Sequence, residues 1–264
     1  MAARCKYLSK LYKMAMIWEA LGLARPGITA CVGAGGKTSL LLSLAAAGER
    51  GRPVLVTATT KMFYHQVAQY TQVLTNEYGV GALQVARVLQ SGKTAAWFTG
   101  RANDKVTGLA SGWIDRLVDI IPDAFILVEA DGARRCLLKA PAGHEPVIPD
   151  CTAMTVGIVN LQAIGQPFSE ANTHRLNLVT AILGKQAGDP IGWIDLARLL
   201  VHRQGIFQYA LGTKVVVLTG GQNQASVEAA RQIAGYVKTA GVNIARVVVT
   251  AGYGTVMRPV TVFT

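Results

Sequence analysis

The sequence predicts an α/β protein whose mostly parallel sheet is doubly wound, with helices on both faces in a three-layer arrangement. Short runs rich in β-branched residues alternate with longer segments of helical periodicity, and the connections between them are short. Some of the short runs are apolar throughout, as in Phe125–Val128, which is typical of a parallel strand covered on both faces. No internal repeat or low-complexity linker interrupts this alternation.

The individual elements follow from the same two patterns. Strands are predicted where a short apolar run ends in polar residues or glycine, and helices where apolar residues recur at three or four positions. The predicted order is strand Ile28–Val32, helix Lys37–Ala47, strand Pro53–Thr57, a helix with Trp113, Leu117 and Ile120 on one face, strands Phe125–Val128, Met154–Val159 and Val215–Leu218, helix Val227–Tyr236, strand Ala245–Thr250 and edge strand Val260–Phe263.

Composition excludes several classes of protein. Of the 264 residues, 51% are hydrophobic, so the chain can bury a large core and is not disordered as a whole. No apolar run reaches the length of a membrane-spanning helix, and the four cysteines contain no C-x-x-C pair, which excludes a disulfide scaffold and the usual thiolate zinc site. A net charge of +11 favours anionic partners such as nucleotides or an anionic substrate, and a solvated basic face is the alternative. Nucleic acid is disfavoured as a partner, because aromatic residues do not alternate with the basic ones.

The amino-terminal residues form a separate, basic segment. Residues 1–13 contain four basic residues and no acid, as in the first part of a signal peptide. The apolar region that should follow is interrupted by Glu19 and has no small-residue cleavage site. We therefore predict a basic extension over residues 1–13 that need not belong to the fold, a single domain over residues 14–264, and a cytoplasmic location.

A glycine-rich loop joins the first predicted strand to the helix after it. In such a loop, backbone N–H groups and the helix N-terminus can converge on phosphate oxygens. Thr38 excludes the dinucleotide pattern G-x-G-x-x-G, and Cys31 stands where G-x-x-x-x-G-K-[ST] has its first glycine, so the loop is a variant phosphate-binding loop. The alternative is a turn that only caps the helix. The predicted nucleotide-binding residues are Gly33, Ala34, Gly35, Gly36, Lys37, Thr38 and Ser39.

This loop predicts a fold of the P-loop nucleotide-hydrolase type, with ATP or GTP and Mg²⁺ as ligands. Lys37 is expected to contact the β- and γ-phosphates, and the Thr38 hydroxyl to ligate Mg²⁺. The segment after the strand Val215–Leu218 lacks the N-K-x-D motif with which GTPases recognise guanine. The choice between ATP and GTP is therefore left open.

Two acids at the end of Phe125–Val128 are the predicted partners of the metal. Glu129 and Asp131 are two residues apart, so in an extended chain they point the same way. We predict Lys37, Glu129 and Asp131 as the catalytic residues and Thr38 with Asp131 as the metal ligands. Which acid makes the direct contact is left open, and the alternative is an ordinary solvated strand end.

Polar residues in two nearby loops are candidates for contacts with substrate or for a nucleotide-dependent switch. Threonine and lysine after the second strand can contact a metal ion or an anion, and arginines can clamp phosphate. Lys139 can bind phosphate or an anionic substrate in the same way as the arginines, and His144 can act as an acid or a base. A solvated loop is the alternative for the other candidates, and a hydrogen-bonded structural histidine is the alternative for His144. These candidates are Thr59, Thr60, Lys61, Arg134, Arg135, Lys139, His144 and Glu145.

Several of these motifs together resemble a known family. The glycine loop, the Thr59–Met62 run, and VEADGARR followed by LKAPAGHEPVIP are similar to the YqeC-type selenium cofactor biosynthesis proteins, also described as selenium-dependent hydroxylase accessory proteins. The resemblance implies a bacterial P-loop protein that supports maturation of selenium-dependent molybdenum hydroxylases. It also implies such a hydroxylase, or its cofactor, as a partner. The stretch Cys136–Lys139 stands where the family pattern has Leu-Pro-Leu-Lys, which argues against Cys136 as a selenium carrier of the family.

Three functions are therefore open. The first is an Mg²⁺-dependent accessory protein that binds and hydrolyses a nucleoside triphosphate, with catalysis mainly by positioning and charge stabilisation. The second is a nucleotide-gated chaperone or insertase without turnover of its own. The third is a small-molecule kinase that uses the same loop.

Overall fold

The computed structural model describes residues 17–48 and 51–264. The predicted basic extension over residues 1–13 lies outside the described residues. Helix α1 is described over residues 17–21, and the other helices are α2 (Lys37–Gly48), α3 (Tyr64–Val67), α4 (Tyr78–Gln90), α5 (Ser111–Ile120), α6 (Leu176–Leu183), α7 (Trp193–Val201) and α8 (Gln224–Thr239). The strands are β1 (Gly27–Gly33), β2 (Val54–Ala58), β3 (Lys61–Phe63), β4 (Thr71–Leu74), β5 (Ala95–Phe98), β6 (Gly100–Ala102), β7 (Lys105–Thr107), β8 (Phe125–Glu129), β9 (Leu138–Lys139), β10 (Thr152–Asn160), β11 (Thr173–His174), β12 (Thr213–Thr219), β13 (Arg246–Ala251) and β14 (Arg258–Phe263).

One large sheet organises the chain. Its nine strands have the order β14-β13-β12-β10-β1-β8-β2-β5-β4, and every neighbouring pair is parallel except the edge pair β13 and β14. From β1 the chain first builds the β8 side of the sheet and then crosses to the β10 side. This reversal of direction is the place where doubly wound sheets bind ligands, beyond the carboxyl ends of the strands.

Side chains that alternate along the strands fill a core on each face of the sheet. On one face Val56, Leu127 and Val156 pack with α1 and α2. On the other, α4 and α5 cover one half of the sheet, and α6, α7 and α8 cover the other half. The arrangement has three layers and confirms the predicted fold class. None of the helices in the described ranges has both the length and the apolar character to cross a bilayer.

Two short sheets lie outside the main one. The antiparallel sheet β3-β7-β6 follows the carboxyl end of β2, and the parallel pair β11 and β9 follows the carboxyl end of β8. Neither was predicted from the sequence. Both follow the carboxyl ends of strands and therefore lie at the same end of the main sheet as the glycine-rich loop.

We expect the centre of the sheet to be sensitive to loss of volume. Leu127 in β8 is fully buried, whereas Leu83 on α4 is 61% exposed. Leu127→Ala should lower the free energy of unfolding by about 2–5 kcal/mol, because it removes buried apolar atoms and leaves a cavity. Leu83→Ala makes the same chemical change at the surface and should cost far less. Urea unfolding of the two variants measures this difference, and equal losses would contradict the assigned core.

Candidate functional site

The loop between β1 and α2 has a shape that requires glycine. Gly33 has φ +97°, and a Cβ atom there would lie 2.2 Å from the carbonyl oxygen of Ile158 in the neighbouring strand. At Gly35, with φ +75°, a Cβ would lie 2.5 Å from the Cβ of Asn160. The positive φ and the close approach of neighbouring atoms both make any residue other than glycine energetically costly at these two positions. The loop is therefore held against the end of β10.

Two polar side chains from neighbouring strands anchor this loop. Asn160 at the end of β10 donates from Nδ2 to the Gly35 carbonyl at 3.0 Å, and Thr219 at the end of β12 donates from Oγ1 to the same oxygen at 2.7 Å. Both side chains are buried. Sequence reasoning missed them, although the signal was present, since each is a polar residue that ends a long apolar strand.

The loop amides fall into two groups. The N–H of Gly33 donates to Asp131 Oδ2 at 3.0 Å and that of Ala34 to the Ile158 carbonyl at 2.9 Å, so the protein itself satisfies these two. Within the described part of the chain, the N–H groups from Gly35 to Ser39 have no acceptor. Five consecutive donors are thus left free at the N-terminus of α2, where the helix dipole also favours an anion.

Lys37 links the glycine-rich loop to the two acids at the end of β8, Glu129 and Asp131. Its Nζ donates to the Gly33 carbonyl at 2.6 Å and lies 3.1 Å from Asp131 Oδ1. Burial alone would lower the pKa of Lys37, but the charges of Asp131 and Glu129 outweigh it and raise the pKa above its ordinary value. The side chain is therefore a buried ammonium ion.

Glu129 contacts the first turn of α2. Its Oε2 accepts a hydrogen bond of 2.7 Å from Thr38 Oγ1. Burial raises the pKa of the Glu129 carboxyl, although Lys37 and the Thr38 hydrogen bond act in the opposite direction. The two acids at the end of β8 thus differ in role, because Glu129 faces the Thr38 hydroxyl and Asp131 faces Lys37. The metal-ligand role predicted for Asp131 stays a prediction.

A chain of buried charges continues from Asp131. Lys139 in β9 is fully buried, and its Nζ lies 2.9 Å from Asp131 Oδ2 and 3.0 Å from Glu145 Oε2. Arg175 binds both oxygens of Glu145, each at 2.7 Å. Burial acts against ionisation of Glu145, but Arg175 and Lys139 together lower its pKa to about 2. Of the predicted loop residues, Lys139 and Glu145 thus belong to the same charge network as Lys37.

The other predicted candidates lie around this network. Thr59 donates from Oγ1 to the Val147 carbonyl at 2.8 Å, and its N–H donates to the Glu129 carbonyl at 3.1 Å. The Arg135 guanidinium lies over the Phe63 ring, 4.4 Å from its centroid. The buried Thr60 Oγ1 has no hydrogen-bond partner among the described residues. Lys61, Arg134 and His144 are exposed.

We expect Gly33→Ala to weaken the fold. The substitution places a Cβ against the Ile158 carbonyl and forces alanine into a positive φ, so the free energy of unfolding should fall by about 1–3 kcal/mol. Gly112→Ala is the matched control, because no heavy atom lies within 4 Å of a Cβ at Gly112, in the first turn of α5. Chemical denaturation compares the two. A Gly33→Ala protein as stable as Gly112→Ala would contradict the loop conformation.

We expect Glu145 to contribute stability that depends on pH. Its pKa lies below its ordinary value of 4.5, so the charged form stabilises the fold above that pH, and the contribution is lost as the pH falls toward about 2. Glu145→Gln should lower the free energy of unfolding at neutral pH and flatten its fall in acid. Glu228→Gln, which removes an exposed ion pair with Arg231, should keep the wild-type profile. Denaturant midpoints measured against pH test this, and parallel profiles for Glu145→Gln and wild type would refute it.

Comparisons with known proteins agree on one family. The family model described as YqeC protein matches residues 29–177, which include the glycine-rich loop, Glu129, Asp131, Lys139, Glu145 and Arg175. A relative from Escherichia coli (strain K12), described as Uncharacterized protein YqeC, is 36% identical over 186 residues, which cover 70% of this chain and 71% of the relative. The chain belongs to the YqeC family.

Proposed function

We propose that this protein binds a nucleoside triphosphate with Mg²⁺ at the loop Gly33–Ser39 and hydrolyses it. The observation that carries this proposal is the row of free amides from Gly35 to Ser39 beside the buried ammonium group of Lys37. A polyphosphate supplies the acceptors and the negative charge that this row lacks. If the loop only capped α2, it would need neither the buried Lys37 nor the Asn160 and Thr219 side chains that bind the Gly35 carbonyl.

The residues next to the loop fit a magnesium ion. Mg²⁺ prefers oxygen ligands, and the Thr38 hydroxyl and the Glu129 carboxylate lie 2.7 Å apart at the first turn of α2. Among the described residues, no three His, Cys, Asp or Glu side chains cluster as an independent metal site. The ion would therefore be held by Thr38, by Glu129 or Asp131, and by phosphate oxygens. When bound, it would supply positive charge against the phosphates.

The chain's own contribution is positioning and charge. Lys37 would turn from the Gly33 carbonyl and Asp131 toward the phosphate oxygens and stabilise negative charge there. Asp131 Oδ1 is buried and has no hydrogen bond of good geometry among the described residues, so it can accept one from water or from a ligand. Lys139 would keep Asp131 paired while Lys37 engages the phosphates.

The cellular role rests on the family resemblance. We propose that the nucleotide-bound protein acts in the cytoplasm as an accessory to the maturation of selenium-dependent molybdenum hydroxylases. The supporting observation is that the matched residues 29–177 span the whole charge network. ATP and GTP remain equal candidates.

We expect removal of the Thr38 hydroxyl to weaken only the Mg²⁺-dependent part of nucleotide binding. Thr38→Ala should raise the Kd for ATP or GTP by about tenfold with Mg²⁺ and leave it unchanged in EDTA, whereas Thr38→Ser keeps the hydroxyl and should bind as wild type does. Lys37→Ala should weaken binding under both conditions, because it removes a cation from the phosphates. Calorimetric titration of each nucleotide measures these constants.

Lys93→Ala is the matched control for charge, because Lys93 is exposed in the turn after α4, away from the loop. Thermal unfolding reports whether each variant is folded. Wild-type affinity in folded Lys37→Ala protein would refute the proposed site. If Lys37→Ala does not fold, the Thr38→Ala and Thr38→Ser pair decides the question, and equal Mg²⁺ dependence in both would refute it.

Turnover separates the proposed activity from the alternatives. Steady-state phosphate release by wild type, lost in Thr38→Ala, supports hydrolysis. Tight binding without phosphate release favours a nucleotide-gated chaperone or insertase. Transfer of label from the γ-phosphate to a small molecule favours a kinase.

A further inference from the structure

A polar cleft of about 1040 Å³ lies beside the glycine-rich loop and is separate from it. Its walls come from the loop after β8 and from the segment that contains β11 and the start of α6, and none of its lining residues belongs to Gly33–Ser39. Its volume is at the upper end of the range for small-molecule pockets. Residues that matter for its chemistry are Gly132, Arg134, Glu145, His174, Arg175 and Asn177.

The charges that act on His174 in the wall of the cleft are mainly positive. Burial together with the charges of Arg175, Lys139 and Arg134 lowers the pKa of His174 to about 4, and Glu145 has a smaller opposing effect. The Glu145 carboxylate is already bound by Arg175 and Lys139. Arg134 is exposed and makes no ion pair with any described residue. The other lining carboxylate, Glu170, is exposed.

A continuous series of ion pairs connects the cleft to the glycine-rich loop. Glu145 lines the cleft and is bound to Lys139, whose Nζ also binds Asp131, and Asp131 is paired with Lys37 in the loop. Gly132 lines the cleft too, and its carbonyl accepts a hydrogen bond of 2.8 Å from Lys139. Through these contacts, the cleft and the glycine-rich loop are both connected to the buried Lys139.

The unusual backbone of this segment supports a binding role. Arg134 and Arg135 have φ of +47° and +64°, and Arg175 has φ +57°. Long side chains rarely adopt this conformation, and residues held in it concentrate at ligand sites. Arg134 and Arg175 both line the cleft, so the strained positions present cationic side chains to it.

We infer that this cleft is a second binding site, for a small molecule that carries a phosphate or carboxylate group. Arg134 is the principal anchor, and His174 and Asn177 add hydrogen-bonding capacity to the wall. Arg175 contributes charge while it holds Glu145. That the second ligand acts together with the nucleotide rests on the proposed function, whereas its binding does not.

Titration with two simple anions tests the site. Malonate and inorganic phosphate are titrated calorimetrically into wild-type protein saturated with Mg²⁺ and a non-hydrolysable analogue, AMP-PNP or GMP-PNP, whichever binds, so that the loop Gly33–Ser39 is occupied. They are also titrated into nucleotide-free Lys37→Ala protein. We expect at least one of the two anions to bind with one equivalent in both proteins. The inference is overturned if neither anion binds to wild type at millimolar concentration, or if neither binds to folded Lys37→Ala protein.

Two conservative variants locate the bound anion. Arg134→Asn removes the charge with a residue that tolerates a positive φ, and should raise the Kd of the bound anion by about tenfold. Asn177→Asp adds a negative charge to the wall at an exposed position of α6, and should raise the Kd by about threefold without loss of thermal stability. Arg87→Ala on α4 is the control and should bind as wild type does. Wild-type affinity in Arg134→Asn and Asn177→Asp overturns the assignment to this cleft.

The nucleotide and the anion should also influence each other. Saturation with Mg²⁺ and the analogue should change the Kd of the anion at least threefold in wild type and have a smaller effect in Glu145→Gln, in which the connecting carboxylate is neutral. An unchanged Kd in wild type overturns the coupling. If neither AMP-PNP nor GMP-PNP binds, the proposed function fails, while titration of the anions into wild type, Arg134→Asn and Asn177→Asp still decides whether the cleft binds anions.

Discussion

The buried carboxylate of Asp131 between two buried lysines is the interaction on which the site depends. It lies 3.1 Å from Lys37 and 2.9 Å from Lys139, and it also accepts the N–H of Gly33. A buried charge of this kind is costly unless it is paired and hydrogen-bonded, so Asp131 holds three segments together: the loop after β1, the end of β8, and β9. Loss of the Asp131 carboxylate would leave the buried Lys37 without its ion-pair partner among the described residues.

This pairing also explains how the protein itself shapes the loop. Lys37 is held by the Gly33 carbonyl and Asp131, and the Gly35 carbonyl is held by Asn160 and Thr219. The free amides that follow are therefore oriented by contacts within the protein. An anion that arrives finds donors already arranged, which lowers the conformational entropy that its binding costs.

Much of the fold could be predicted from the chain, and the failures have a physical cause. Strands with β-branched residues, such as β10, β12 and β13, were assigned because the apolar run is long and its ends are marked. The strand β5, with the sequence AAWF, was missed because it contains no β-branched residue, although all four residues are buried. The two-residue strands β9 and β11 exist only because their partners meet in space, and no local pattern encodes them.

The type of the fold and the position of the glycine-rich loop within it can be inferred from the amino-acid sequence alone. They follow from local alternation and from residues adjacent in the chain, as do the loop's lysine and threonine and the two acids Glu129 and Asp131. How the charges are shared depends on contacts between distant parts of the chain. Glu129 faces Thr38 while Asp131 faces Lys37 and Lys139, and Arg175 and Glu145 extend the network to the cleft. Such pairings join residues far apart in the chain, and their energies depend on burial and distance, which no sequence spacing contains.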